Sequence, residues 1–521
     1  MSDENGELPD GWAWASFDDV TLLMRNGTTE RQNQDGRGVA VSRIETIATG
    51  EIDFNKVGYI ADSSVELVEK YRLRPGDILL SHINSAAHLG KTAVYRSGFA
   101  TLLHGMNLML LRLDTDAVEP ELFHRFCNFH RANGDFSLIA QHAVNQASIN
   151  QKKLKSIQLP LPPLPEQRRI VSKIEALQER SGKAREALAE VGPLLEQFRQ
   201  SLLAAAFRGD LTADWRAANP DVEPASELLQ RIRQERRERW EQTELAKYEA
   251  KGKQPPKGWK DKYKEPAPVD KSNLPELPNG WCWASVGEAF EVFVGATPSR
   301  KDVHFWHGNV PWVSSGEVCF CRISDTKEKI TALGLASTST NVHPPGTVLL
   351  GMIGEGKTRG QAAILDISAC HNQNSAAIRV ADTAVPPEYI YQYFRFVYES
   401  TRRVGAGNNQ PALNKSRVQS MTFPLAPIGE LVCICEEVSQ LLASASDTME
   451  LASTSRNALA DLDQSILAKA FRGELVPQDP DDEPASALLR RIREQREAAA
   501  DARKKVSKKK TPRKCKARSD A

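Results

Sequence analysis

Two long stretches of this chain place apolar residues at alternating spacings of three and four. Each follows a region of short apolar runs broken by proline and glycine. The first stretch passes through Ile170, Ile174, Leu177, Leu188, Leu195, Phe198 and Leu202, with Ser181, Ala184 and Val191 between them and Ala205 after. The second passes through Ile434, Val438, Leu441, Leu459, Leu462 and Ile466, with Ala445, Thr448, Ala452 and Ser455 between. Such spacing is the seam of a coiled coil over about five heptads, longer than one domain needs to cover its core. Each seam is large at its ends and small in its middle, as expected if the two long helices pair with each other, either way round; the expected fold pairs them as an antiparallel coiled coil. With a rise of about 1.5 Å per residue, some 38 residues make a rod of roughly 57 Å. Gly192-Pro193 falls inside the first seam and predicts a kink or an interruption there.

Ahead of each seam the period changes. Asp77-Ile78-Leu79-Leu80, Thr92-Ala93-Val94-Tyr95 and Leu108-Met109-Leu110-Leu111 are strand-length runs bounded by Pro75-Gly76, Gly90 and Gly98. The same pattern returns as Pro345-Gly346-Thr347-Val348-Leu349-Leu350 and Ala362-Ala363-Ile364-Leu365. His371-x-x-Asn374 stands where His104-x-x-Asn107 stood. Asn145-Gln146 and Asn409-Gln410 precede similar proline-rich endings, and these hand the chain to the long helices, since proline is tolerated in a first helical turn. The start of the second helix is the less marked, with Gly429 in place of a proline.

The correspondence is a duplication. Leu8-Pro9-Asp10-Gly11-Trp12 returns as Leu277-Pro278-Asn279-Gly280-Trp281, and Ala206-Phe207-Arg208-Gly209 as Ala470-Phe471-Arg472-Gly473. Glu223-Pro224-Ala225-Ser226 returns as Glu483-Pro484-Ala485-Ser486. A third element therefore follows each rod, a short arginine-rich amphipathic helix that either binds a partner or packs on the rod. A period of about 260 to 270 residues is too long for a solenoid and means two copies of a large unit. The expected organisation is a strand-rich part (1–165), a helical spacer with a charged, proline-punctuated linker (166–270), a second strand-rich part (271–428), a distal helical spacer (429–500) and a disordered basic tail (501–521). The fold class is α+β with an internal pseudo-twofold repeat.

Composition narrows this only slightly. The chain has 521 residues, 40% hydrophobic, and a formal net charge of +1. Its first 165 residues hold about 16 Lys/Arg against about 20 Asp/Glu, so any affinity for nucleic acid there rests on a local patch. The last stretch, 503–518, is strongly basic and reads as an arm for phosphates or as a solvated tail. No run of 18 apolar residues and no secretory signal pattern occur, which makes the cytoplasm the expected location. The eight cysteines include Cys319-x-Cys321 and Cys433-x-Cys435 but no C-x-x-C pair, and are expected to be free thiols.

One motif invites a catalytic reading. Gly351-Met352-Ile353-Gly354-Glu355-Gly356-Lys357-Thr358 matches the phosphate-loop pattern in every required position. Such a loop needs a helix to receive the phosphates, yet Arg359-Gly360-Gln361-Ala362-Ala363-Ile364-Leu365 reads as a turn and a strand. The first copy, from Ser81 to Thr92, keeps the strand-loop-strand pattern without the motif. No Asn-Pro-Pro-Tyr-like tetrad, H-E-x-x-H or nucleophile elbow is present. His82, His88, His104, His304, His307 and His371 fall in or beside expected loops, and no catalytic or metal-binding residue is assigned.

Taken in order and duplicated, these motifs resemble the DNA-specificity subunit of Type I restriction-modification systems over nearly the whole chain. Besides the repeats above, the resemblance rests on Gly295-Ala296-Thr297-Pro298-Ser299, Phe305-Trp306-x-Gly308-Asn309-Val310-Pro311-Trp312 and Leu161-Pro162-Pro163-Leu164-Pro165-Glu166-Gln167. It implies a non-catalytic chain whose strand-rich parts are target recognition domains, each reading half of a split, asymmetric site in double-stranded DNA. The helices would act as a ruler for the unread gap. They would also bind two methyltransferase subunits, to which restriction and translocase subunits add. S-adenosylmethionine, ATP and magnesium would belong to those partners, and no cofactor or membrane is expected for this chain.

Reading bases needs donors and acceptors on loops. The candidates are Arg43, Ser81, Asn84 and Lys91 in the first copy, and Ser299, Arg300, Lys301, Ser314, Ser315, Lys357 and Arg359 in the second. Asn145, Gln146, Lys152, Asn409, Gln410 and Lys415 either touch DNA or cap the following turn. Two other readings compete: a coiled-coil interaction protein with two ligand-binding heads, and an ATPase built on Lys357.

Overall fold

The computed structural model describes residues 7–61, 63–85, 88–96, 101–143, 146–354, 357–403 and 413–509. Of these, the residues within Met1–Ala189 and Ser453–Ala521 form one compact unit, and those within Glu190–Ala452 form another.

In the first unit, Ala13–Ser16 pairs antiparallel with Gln158–Leu161, which ties the start of the strand-rich part to its end. Between them lies a four-stranded sheet in the order Thr21–Asn26, Leu108–Leu113, Ile78–Ser81, Thr92–Val94. A three-stranded sheet orders Gly58–Ile60, Val39–Ser42 and Leu102–His104, the last pair parallel. The second unit repeats the plan. Cys282–Ser285 pairs with Thr422–Leu425, Val348–Gly351 lies at the centre of a five-stranded sheet, and Trp306–Val313 runs parallel to Cys370–His371.

The unbroken apolar runs of the sequence are these central strands. Ile78 and Leu80 face a core that includes Phe17, Phe123 and Phe126, while Leu79 faces a separate one with Ile47, Leu102 and Leu110. Val348 and Leu350 divide from Leu349 in the same way. Successive strand residues point to opposite faces, so a strand covered on both sides must be apolar throughout.

The helix Leu164–Arg208 runs without interruption through Pro193, and the second long helix spans Ile428–Phe471. Of the two outcomes expected at Gly192-Pro193, a kink or an interruption, the interruption does not occur. Proline removes one backbone donor, and the turns on either side continue. Pairing is antiparallel in both units. Ser181 bonds Asp463 at 3.1 Å and Arg185 reaches the Leu459 carbonyl at 3.1 Å. In the second unit a Cβ built at Gly192 would lie 3.8 Å from the Met449 methyl. Ile170, Ile174, Leu202, Ile434, Val438 and Ile466 are buried, and Leu177, Leu188, Leu195 and Leu459 are half-buried.

Three seam positions differ from expectation. Leu441 is 37% exposed while Leu442 packs on the core, and Phe198 and Leu462 are 40% and 48% exposed. An apolar stripe covers a face wider than one residue, so local packing sets which of two neighbouring leucines meets the core. Gly429 leaves the second helix start intact and makes room for Trp215, whose ring would lie 3.0 Å from an added Cβ.

The repeated motifs meet across copies. Gly209 and Gly473 end the long helices with φ of 80° and 73°, a left-handed turn that suits glycine. A Cβ on Gly209 would sit 2.6 Å from Pro278, and one on Gly473 would collide with Pro9. The arginine-rich helices follow the same exchange. Ala225–Ala250 packs Leu228, Leu229 and Ile232 into the core of the second unit, where Arg233 pairs with Glu288 and Arg239 donates to the Asp382 carbonyl at 2.9 Å. Ala485–Lys509 packs into the first unit, where Arg493 pairs with Asp19 at 2.9 Å and Arg496 donates to the Asp18 carbonyl. That helix continues past residue 500 into the segment expected to be disordered, and 510–521 lie outside the described residues. The linker after Ala250 folds back, stacking Trp259 on Trp240 with ring centroids 5.9 Å apart.

Candidate nucleic-acid interface

In each unit, polar loops extend from the ends of the central strands. In the first, Arg43 opens the turn that leads through Glu45–Ile47 to Ala48, and its guanidinium lies 3.7 Å from Glu45. Lys91 donates to the Ala48 carbonyl at 2.6 Å, so these two candidates share one loop cluster. Asn84 lies on the two-residue strand Ile83–Asn84, which pairs with Gln146–Ser148 and brings it to the hairpin after Gln141–Ala143. Ser81 is 1% exposed, and its hydroxyl accepts from the Asn84 amide at 3.1 Å. It supports Asn84 and is too buried to read a base. Lys152 is exposed on the one-turn helix Gln151–Lys155.

The alternative of capping falls to other residues. Asn150 accepts from Lys153 N, and Asn414 accepts from Arg417 N, each at 2.9 Å. Asn145, Asn409 and Gln410 lie outside the described residues, and Gln146 is described for its backbone alone.

In the second unit three loops converge. Trp306 donates through its indole to the Ser299 carbonyl, and Trp312 to the Ala296 carbonyl, both at 3.1 Å. These bonds fix the segment 296–301 above the Trp306–Val313 strand. Ser314 forms a capping box with Glu317, accepted at 2.8 Å from its hydroxyl, and Ser315 accepts from Asn372 at 3.3 Å. Thr297 donates to Gln373 at 2.5 Å, which joins the third loop. Arg300 lies 3.8 Å above the Trp306 ring and is paired with Glu328 at 2.9 Å. That pairing raises the Arg300 guanidinium and holds the Glu328 carboxyl below the usual range. Ser299 and Lys301 are exposed beside it.

Lys357 and Arg359 sit on another loop. The Lys357 carbonyl accepts from Tyr398 at 2.5 Å, and Arg359 donates to the Arg402 carbonyl at 3.1 Å. Arg359 also lines a 360 Å³ cleft with Thr401, Arg417 and Ser420. Lys415 begins the helix Lys415–Ser420, its ammonium 6.0 Å from the Phe293 ring. After the glycine-lysine-threonine motif the chain makes a turn and enters the strand Ala362–Leu365, so no helix N-terminus stands there to receive phosphates.

Thr297, Asn372 and Gln373 are not among the candidates drawn from the sequence. Thr297 lies inside the Gly295–Ser299 motif, which was a usable signal; Asn372 and Gln373 are identified only by the loops they join. His104 and His371 end strands and are fully buried, and His371 Nδ1 lies 3.0 Å from the Ser375 hydroxyl. Burial pushes His371 and His82 down to about 4. Among the described residues, no cluster of three or more His, Cys, Asp or Glu is placed to hold a metal ion, and no helix is long and apolar enough to cross a membrane.

Two loop-bearing strand domains joined to paired long helices define a class of DNA-specificity protein. The family model for the Type I restriction modification DNA specificity domain matches residues 9–190 and 278–453. The chain belongs to that family. It is a specificity subunit, the non-catalytic component that sets the DNA target within a Type I restriction-modification complex. It is 24% identical to the Type I restriction enzyme StySPI specificity subunit of Salmonella potsdam over 526 aligned residues, covering 97% of this chain and 99% of that one. The fold is similar to the HsdS subunit from Thermoanaerobacter tengcongensis, with TM-score 0.57, 18% identity and coverage of 91% of this chain and all of that chain. It is similar also to a chain from a structure describing complex assembly and conformational transition of the type I R-M system, with TM-score 0.61, 18% identity, and 90% of this chain against all of that one.

Proposed function

We propose that each strand-rich part is a target recognition domain reading one half of a split, asymmetric site in double-stranded DNA. The observation that carries this is a shared scaffold with different loops. Both units keep the serine capping box, Ser16 with Asp19 and Ser285 with Glu288. They differ where side chains reach solvent: Arg43, Asn84 and Lys91 in one, Ser299, Lys301, Gln373 and Lys357 in the other. Phosphate contacts position a protein on DNA without reading sequence, whereas base edges demand particular donors and acceptors. Unlike loops on like scaffolds suit unlike half-sites.

The paired long helices set the unread gap, and the helical regions hold two methyltransferase subunits, to which restriction and translocase subunits add. S-adenosylmethionine, ATP and magnesium are then bound by those partners. A chain working on DNA inside such an assembly acts in the cytoplasm.

Mapping methylated adenines in the host genome with and without the gene tests the reading. Loss of methylation at one split motif is expected. Unchanged methylation, with the partner subunits expressed, overturns it.

A further inference from the structure

The sequence holds two C-x-C pairs, and the fold treats them oppositely. Cys433 and Cys435 lie in the helix Ile428–Phe471, where residues two apart face different directions. Cys319 and Cys321 lie at the entry to the strand Cys321–Ile323 with their sulfurs 3.8 Å apart. Phe320 between them has φ of 53°, a left-handed conformation uncommon for a bulky side chain. It is held there from both sides. Its N–H donates to the Ala362 carbonyl at 2.9 Å, and its ring packs edge-on against Tyr398, with centroids 5.0 Å apart. Anchoring the middle residue inward turns both thiols to one side.

We propose that Cys319 and Cys321 are a reversible thiol–disulfide modification site, oxidised by low-molecular-weight disulfides. Cys319 is exposed and takes the attacking role. Its thiolate attacks one sulfur of the small disulfide, forming a mixed disulfide and releasing one thiolate. The Cys321 thiolate then attacks Cys319 Sγ and expels the second. Two cysteine protons are lost, the electron pair reduces the small disulfide, and two small thiols are produced. Cys321 is the resolving partner because burial pushes its thiol up and its sulfur already contacts the Glu317 carbonyl at 3.3 Å. Bond formation draws Cys321 from that carbonyl, in the turn that also holds Ser314 and Ser315.

The test is alkylation mapping of the full-length chain after equilibration with oxidised glutathione. Labelling of Cys319 and Cys321 is expected to fall together, with a peptide lighter by two hydrogens, and to return with dithiothreitol, while Cys433 and Cys435 form no bond with each other. In Cys319→Ser, Cys321 should stay open to alkylation; in Cys321→Ser, Cys319 should stop at the glutathione adduct. A wild-type chain that stops at the glutathione adduct on Cys319, or that leaves both thiols alkylatable at equilibrium, overturns the proposal. This readout needs neither DNA nor partner subunits, so it stands or falls apart from the specificity reading.

Discussion

The indole N–H of Trp281 donates to the Glu430 carboxylate at 2.8 Å across 149 positions of sequence. The same carboxylate accepts from Thr212 at 2.7 Å and pairs with Arg216, and it is fully buried. Trp12 bonds Glu166 in the other unit at 3.2 Å; among the described residues no arginine pairs with Glu166 directly, and Arg169 pairs with Asp482. The Gly-Trp repeat is thereby tied to the first turn of the following long helix in each unit.

Removing Glu430 strands two donors and a cation. Glu430→Ala should cost about 3–5 kcal/mol, as breaking a buried pair from one side does. Trp281→Phe keeps the ring's packing and loses one donor, so its cost should be smaller, about 1–3 kcal/mol. Urea unfolding of both variants checks the order. Equal losses would contradict the account of the carboxylate as the shared acceptor.

Stability should fall as pH is lowered from about 6.5 toward 4. Burial depresses His82, His124 and His371 to about 4 and His343 to about 3. Each ring is neutral in the fold, while the unfolded chain takes a proton near 6.5. The unfolded state therefore binds more protons in this window, and stability is progressively lost as the pH drops through it. The urea midpoint at pH 5 should lie below that at pH 7. His343→Phe, placed beside the Phe293 ring, should reduce the difference.

Gln373 is exposed and held by Thr297, which makes it the sharpest test of base reading in the second unit. Gln373→Ala should relax one position of one half-site by about 1–3 kcal/mol and leave the other half-site unchanged. Lys357→Ala should instead weaken binding to every sequence alike and lower the salt slope by about 1. Ser81→Ala removes the acceptor that holds the Asn84 amide, and should loosen reading in the first half-site while leaving the second unchanged. Binding of the assembled complex to a panel of single-base variants at two salt concentrations distinguishes the three.

Insertion of one heptad into each long helix should change the unread gap and preserve both half-sites. Methylated-site mapping reads the outcome directly. A changed half-site would show that the helices shape the reading loops as well as the gap.

Much of this fold is legible in the order of residues alone. The three-four spacing marked both long helices, because an apolar stripe needs only neighbours on the same turn. Unbroken runs such as Ile78-Leu79-Leu80 marked central strands, and the duplication exposed the phosphate-loop motif as a strand connection. Within the interface less was readable. Ser81 and Asn84 look alike in a sequence, and only the sheet edge decides that one is buried beneath the other.

The long helices, the central strands, the duplication and the resemblance to the family can be read from the chain alone, because they rest on local periodicity and on motifs taken in order. What depends on distant partners emerges only in the folded chain. Arg233 belongs to the first copy, yet its carboxylate, Glu288, comes from the second. Leu442 rather than Leu441 meets the core, since a stripe specifies a helix face only to within a residue. Two identical C-x-C spacings became one thiol pair and one separated pair, because backbone conformation, invisible in spacing, sets which way a side chain points.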